Sequence, residues 1–259
     1  MEVLFMRFVI IDLKRRRLSV TVVGILITLL VLISAAVSAV TRIFDEELFL
    51  MASTDSNNEK IIIIDAGHGG EDCGAVGVNG VYEKDLNLAV ATQVGELLSE
   101  SGYAVVYTRT EDKLLYLPEE NIKGLRKISD LKNRCKIAAE YPEAIFVSIH
   151  MNTFGDGRYS GLQVYFSDDS ESRELAAKIQ DAVRSDLQKD NDRKIKKGEG
   201  IYVLENVNNS AVLIECGFLS NEKECEKLSE KEYQKQLSFS IVYGIIEYMN
   251  EKYGESVDQ

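Results

Sequence analysis

"KIIIIDAGHGG", residues 60–70, joins four consecutive isoleucines to an aspartate and then to small residues around a histidine. Four β-branched residues in a row favour a strand, and the lack of polar alternation implies burial on both faces, as in a parallel sheet. A helix is expected next, from about Lys84 to Ser101, with Leu86, Ala89, Val90, Val94, Leu97 and Leu98 on one stripe and Gly102 as its stop. "YAVVYTR" (103–109) reads as a second strand, residues 111–129 as irregular, and "DLKNRCKIAAEY" (130–141) as a helix. "AIFVSIH" (144–150) and "GLQVYF" (161–166) are further strands, followed by a polar helix over 170–189. A short strand "GIYVL" (200–204), the strand "AVLIE" (211–215) and a closing helix over 231–251 complete the series. Strands alternating with helices imply one α/β domain over 59–252, a single open, largely parallel or mixed sheet flanked by helices, with a short tail at 253–259.

Composition agrees with a packed domain. The chain is 45% hydrophobic and 28% charged with two prolines, which excludes a disordered or collagen-like protein. The N-terminus is a separate object. Residues 18–40, "LSVTVVGILITLLVLISAAVSAV", contain 23 residues without a charge, enough for a helix to cross a bilayer core of about 30 Å. A basic tail, 1–17, precedes them with Lys14, Arg15, Arg16 and Arg17, and a linker, 41–58, follows. The positive-inside rule keeps the tail in the cytoplasm and exports the rest, whether residues 18–40 stay as an anchor or are cleaved as a signal peptide at "VSA" (37–39). Residues 1–42 carry six basic and two acidic side chains, which leaves −16 on the other 217 residues against −12 for the whole chain. An exported acidic domain argues against nucleic acid as a partner. Cys73, Cys135, Cys216 and Cys225 lack the spacing of a disulfide framework and read as buried free thiols.

The chain has two histidines, and both close an apolar run: His68 after the isoleucines and His150 at the end of "AIFVSIH". Glu215 closes another. In an open α/β sheet the binding crevice lies beyond the carboxyl ends of the strands, so these three residues can converge. Glycines 67, 69 and 70 leave the backbone around His68 uncrowded and free to adopt positive φ. Glu83, beside the helix start, can swing back toward His68. Two imidazoles and one carboxylate, with a position left for water, form the ligand set of a catalytic zinc.

Four segments carry a family resemblance: "DAGHGG" (65–70), "EKDLNL" (83–88), "SIHMN" (148–152) and "AVLIECGFLSN" (211–221). In this order they resemble the motif series of the zinc-dependent N-acetylmuramoyl-L-alanine amidases of the amidase-3 type, across residues 60–250. With "GLRKISDLKNRCKIA" (124–138) and the N-terminal segment, the chain is most similar to the germination-specific amidases of endospore formers. The resemblance implies one zinc held by His68, Glu83 and His150, with Glu215 as the catalytic carboxylate. It implies peptidoglycan as substrate, cut between the lactyl group of N-acetylmuramic acid and L-alanine, outside the cytoplasmic membrane. A role in cortex maturation or germination follows, and an accessory protein is compatible with the sequence but not readable from it. Ser210 stands where the family often has proline, at a turn position rather than a reacting one.

Other roles stay open at this stage. Asn152 and Arg109 could bind the peptide or sugar or serve the structure; Asp65 could orient His68 or satisfy local donors. Three rivals use the same residues: a cysteine hydrolase built on Cys216 and His150, a closed structural zinc site including Cys73 and Cys216, and a wall-binding domain without catalysis. Adjacent strand residues face opposite ways, so if Glu215 faces the site, Cys216 does not.

Overall fold

Strand order brings the carboxyl ends of the first, third and sixth strands side by side. The computed structural model describes residues 60–155 and 157–254; the tail, the uncharged segment 18–40 and the linker lie outside them. The strands are β1 (Ile61–Ala66), β2 (Ala104–Tyr107), β3 (Ile145–Asn152), β4 (Gln163–Phe166), β5 (Lys196–Lys197) and β6 (Ala211–Phe218), in the order β2-β1-β3-β6-β4-β5. Four pairings are parallel, and β4 runs antiparallel to β6, so the expected mixed, largely parallel sheet is present. The helices are α1 (Glu83–Glu100), α2 (Arg126–Ala139), α3 (Ser170–Asp186), α4 (Tyr202–Asn206), α5 (Glu222–Ser229) and α6 (Lys231–Tyr253). Among the described residues no helix is long and apolar enough to cross a membrane.

The two faces of the sheet are covered unequally. Ile62, Ile64, Val147, Ile149, Val212 and Ile214 bury into a large core closed by α1, α3 and α6. Val90, Val94 and Leu98, at fourfold spacing, are the α1 stripe that meets it. Gly244 lets α6 approach α3, since a Cβ there would stand 2.6 Å from the Ile179 Cα. On the other face Ile63, Phe146, Ala211 and Leu213 pack a smaller core with Ala138 of α2 and Val203 and Leu204 of α4. Toward the carboxyl ends that second face turns polar, at Asp65, Ser148, His150 and Glu215.

Three readings need correcting. "GIYVL" is not a strand: Tyr202–Asn206 is helix α4. Lys196 and Lys197 already take the edge beside β4, and Gly200, at φ 78°, turns the chain onto the second face, where Val203 and Leu204 are buried. Tertiary burial overrides the β-propensity of Ile, Tyr and Val. Residues 222–229, given no element from sequence, form α5, capped by the Asn221 side chain accepting from the Glu224 N–H at 3.1 Å. The second helix also starts earlier, at Arg126 rather than near Asp130.

Candidate active site

The isoleucine strand delivers its chain to a left-handed turn. His68 has φ 61° and is the one non-glycine residue at positive φ among the described residues, a conformation costing about 1–3 kcal/mol that tends to mark functional sites. Gly67, just before it, gives clearance rather than positive φ: a Cβ there would meet the His150 Nε2 at 2.1 Å. Gly74, which does adopt positive φ at 67°, also gives clearance opposite Glu83, where a Cβ would stand 2.5 Å from Oε2.

Glu83 opens α1, and its carboxylate lies between the two histidines. Its Oε1 is 3.2 Å from the His68 Nε2 and 3.0 Å from the His150 Nδ1. Backbone N–H groups of Met151 and Ala75 donate to the same carboxylate at 3.1 and 2.8 Å, fixing its rotamer. The three residues offer ligand atoms within 4.8 Å of one another, a group able to hold a metal ion. Burial opposes ionisation of Glu83, but hydrogen bonds from His150 and His68 win and hold its carboxyl far below the usual range. Burial likewise opposes a charge on His68, yet the carboxylates of Asp72 and Glu83 raise it to about 9 in the metal-free protein.

Asp72 does for His68 what sequence reasoning offered to Asp65. The Asp72 Oδ2 is 2.9 Å from the His68 Nδ1, and an ionised carboxylate only accepts, so Nδ1 carries a proton; once the proton that Nε2 gives to the Glu83 hydrogen bond is lost, the lone pair that remains for a metal is on Nε2. Asp65 is 1% exposed and turned to other partners: Thr108 Oγ1 and Ser148 Oγ donate to it at 2.7 and 2.5 Å, and Arg134 at 2.5 Å. Arg134, itself 2% exposed, also donates to Asp130 and to the backbone carbonyls of Ala66 and His68. Arg109 completes the clamp. Its guanidinium donates to the carbonyls of Ala66, Gly67, Lys84 and Glu111, which is the structural role left open for it rather than a donor set turned toward substrate. Asp72, Asp130 and Arg134 were missed from sequence; the i, i+4 spacing of Asp130 and Arg134 was the available signal.

Glu215 pairs directly with His150 in the β3–β6 ladder, so both side chains stand on one face. Its Oε2 is sealed from solvent and has no hydrogen-bond partner. Burial, above all, pushes its carboxyl up to about 7, with the Glu83 charge adding and the histidines subtracting. Cys216 points the opposite way, wholly buried in the large core, and burial holds its thiol well above the ordinary range. That removes the cysteine nucleophile and a zinc site through Cys216. All four cysteines are free; Cys216 and Cys225 are buried, while Cys73 and Cys135 are half-buried instead of buried as expected. Asn152 sits half-buried two residues beyond His150, across from Phe218.

Residues 62–247 match the profile of a family described as N-acetylmuramoyl-L-alanine amidase. The chain belongs to this amidase family. It is 39% identical over 219 residues to the germination-specific N-acetylmuramoyl-L-alanine amidase of Bacillus subtilis, covering 79% of this chain and 91% of the relative. Among solved structures it resembles the CwlD amidase from Clostridioides difficile in complex with the GerS lipoprotein, with TM-score 0.71 and 41% identity over 74% of this chain and 99% of that one. The catalytic domain of the amidase CwlV from Bacillus (Paenibacillus) polymyxa var. colistinus follows at TM-score 0.62 and 34% identity, over 74% and 98% of the two chains. This amidase therefore carries its two histidines, Glu83 and Glu215 inside the matched domain.

Proposed function

We propose that this amidase binds one zinc through His68, Glu83 and His150 and hydrolyses the amide between the lactyl group of N-acetylmuramic acid and L-alanine of peptidoglycan. The observation that carries it is the sealed, unpartnered Glu215 Oε2 directly across the ladder from His150, beside a three-residue donor set. Two imidazole nitrogens and a carboxylate oxygen fit a catalytic zinc, which keeps a fourth position open, whereas a structural zinc takes four protein ligands. Zinc bound there would polarise the amide carbonyl and acidify an attacking water. Glu215 takes that proton and returns it to the departing amine of L-alanine. A carboxyl raised to about 7 suits both halves of this task at neutral pH, since it exchanges protons in either direction. Asp72 orients the His68 ring, and the absence of a Cβ on Gly67 leaves room for the His150 ring, which Glu83 orients at Nδ1. Asn152 is assigned a hydrogen bond to substrate on this face.

His68→Ala or His150→Ala should remove most of the bound zinc, because each deletes one of three protein ligands. Elemental analysis of the purified variants checks this; full zinc content in both would overturn the ligand set. Mass spectrometry of the muropeptides released from purified peptidoglycan tests the bond cleaved.

The germination-specific name of the Bacillus subtilis relative extends here to a role in spore cortex. An accessory lipoprotein is proposed by the same reasoning, from the complex of the Clostridioides difficile relative. Residues 18–40 cross or leave the cytoplasmic membrane with the basic tail inside, so the domain faces the wall. Protease added to intact protoplasts should digest the domain; complete protection would reverse the orientation.

A further inference from the structure

We infer that Arg193 forms a carboxylate subsite on the stem-peptide side of the cleft, selecting an acidic residue next to the alanine; this rests on the amidase reaction proposed above. Residues paired across a ladder share a face. Glu215 pairs with His150 on one side and Gln163 on the other, and Phe218 pairs with Asn152, so Gln163 and Phe218 flank Glu215 on its own face. Strand order sets Gln163 on the side of Glu215 away from His68.

Arg193 is fastened to these two residues. Its guanidinium lies over the Phe218 ring, 4.4 Å from the centroid, while Nη1 donates to the Gln163 Oε1 at 3.3 Å and Nε to the Ser160 carbonyl at 2.7 Å. The Tyr159 ring centroid is 5.8 Å from the guanidinium, and the ring is braced edge-to-face by Phe154 at 4.9 Å. Phe154 and Tyr159 are 57% and 44% exposed, a large apolar surface beside Arg193. Among the described residues Arg193 makes no ion pair, in a domain that is strongly acidic overall. A guanidinium immobilised by stacking and neutral acceptors, in the field of the buried Glu224 carboxylate but in direct contact with no acid, is preorganised to receive a carboxylate.

The reach fits the substrate. Directly opposed antiparallel residues have Cα atoms about 5 Å apart, so the guanidinium at Gln163 stands within roughly 10 Å of the Glu215 carboxylate. In a muramoyl peptide the residue after L-alanine is a γ-linked glutamate whose α-carboxylate is free. Two extended residues from the scissile amide span about 7 Å.

The test uses two synthetic substrates, an N-acetylmuramoyl-L-alanyl-γ-D-glutamyl peptide and the same peptide with that α-carboxylate converted to a carboxamide. Wild-type enzyme should prefer the carboxylate by roughly 10- to 100-fold in kcat/KM, chiefly through KM, the range expected for a hydrogen bond to a charged group. Arg193→Gln should bring the two kcat/KM values together, and Arg193→Lys should restore part of the preference by restoring the charge. A preference unchanged in Arg193→Gln, or absent from the wild type, would overturn the subsite. So would equal losses on both substrates in Arg193→Gln with no recovery in Arg193→Lys, the pattern of a purely structural arginine. Cleavage of neither substrate by the wild type, at full zinc content, would instead overturn the amidase reaction and the subsite with it.

Discussion

Glu215→Gln should retain bound zinc and lose at least 10²- to 10⁴-fold in turnover, the range for removal of a general acid or base. The substitution preserves size and most of the hydrogen-bonding shape, and it removes a group with a sealed, unpartnered oxygen and a carboxyl raised to about 7. In the proposed mechanism one carboxylate serves both water activation and amine departure, so the loss expected belongs at or beyond the upper end of that range. Cys216→Ala is the matched control: the thiol lies in the opposite core, and most activity should remain. Release of L-alanine-terminated stem peptides, with zinc measured in each sample, decides the matter. Near-normal turnover by a zinc-loaded Glu215→Gln protein would falsify the assignment.

The largest effect on stability is expected at Arg134. Arg134→Met fills similar volume but leaves Asp65 and Asp130 as buried carboxylates without their cation, and breaking a buried pair this way typically costs about 3–5 kcal/mol. Although burial raises the Asp65 carboxyl, the coulombic pull of Arg134 and hydrogen bonds from Ser148 and Thr108 hold it below its ordinary value. In the wild type its contribution is therefore complete above about pH 4 and lost as pH falls through the lower folded value. In Arg134→Met the desolvated carboxylate loses its main opposing pull, so protonation relieves the variant first. The stability gap between variant and wild type should narrow as pH drops from 7 toward 5. Urea unfolding at both pH values measures this; a gap under about 1 kcal/mol at pH 7, or one that widens in acid, would show that Arg134 does not carry the network.

Local chemistry made much of the molecule legible. The isoleucine run, the α1 stripe and the chain endings at His68, His150 and Glu215 each depend on a few neighbouring residues, and the α/β alternation follows from them. The reach of Glu83 back to His68 was also readable, because a single loop, residues 69–82, joins them with no helix or strand of its own. Where contacts are distant, sequence was silent. Asp72 rather than Asp65 meets His68, because Arg134, 69 positions away, claims Asp65 from across the second face. Arg109 is consumed by the carbonyls of a loop some forty residues earlier, a pairing that no local pattern encodes.

By itself, the sequence determined the periodicities, the two histidines at strand ends and the opposed directions of Glu215 and Cys216, since each is a matter of backbone geometry over a few residues. Tertiary structure alone decided that β1, β3 and β6 are neighbours, which brings His68, His150 and Glu215 to one edge of the sheet. It also turned Tyr202–Asn206 into a helix and gave Arg193 to Gln163 and Phe218. The physical reason is the same in each case: burial of apolar surface and satisfaction of polar groups are settled between segments far apart in the chain, and they outweigh the propensity of any one segment.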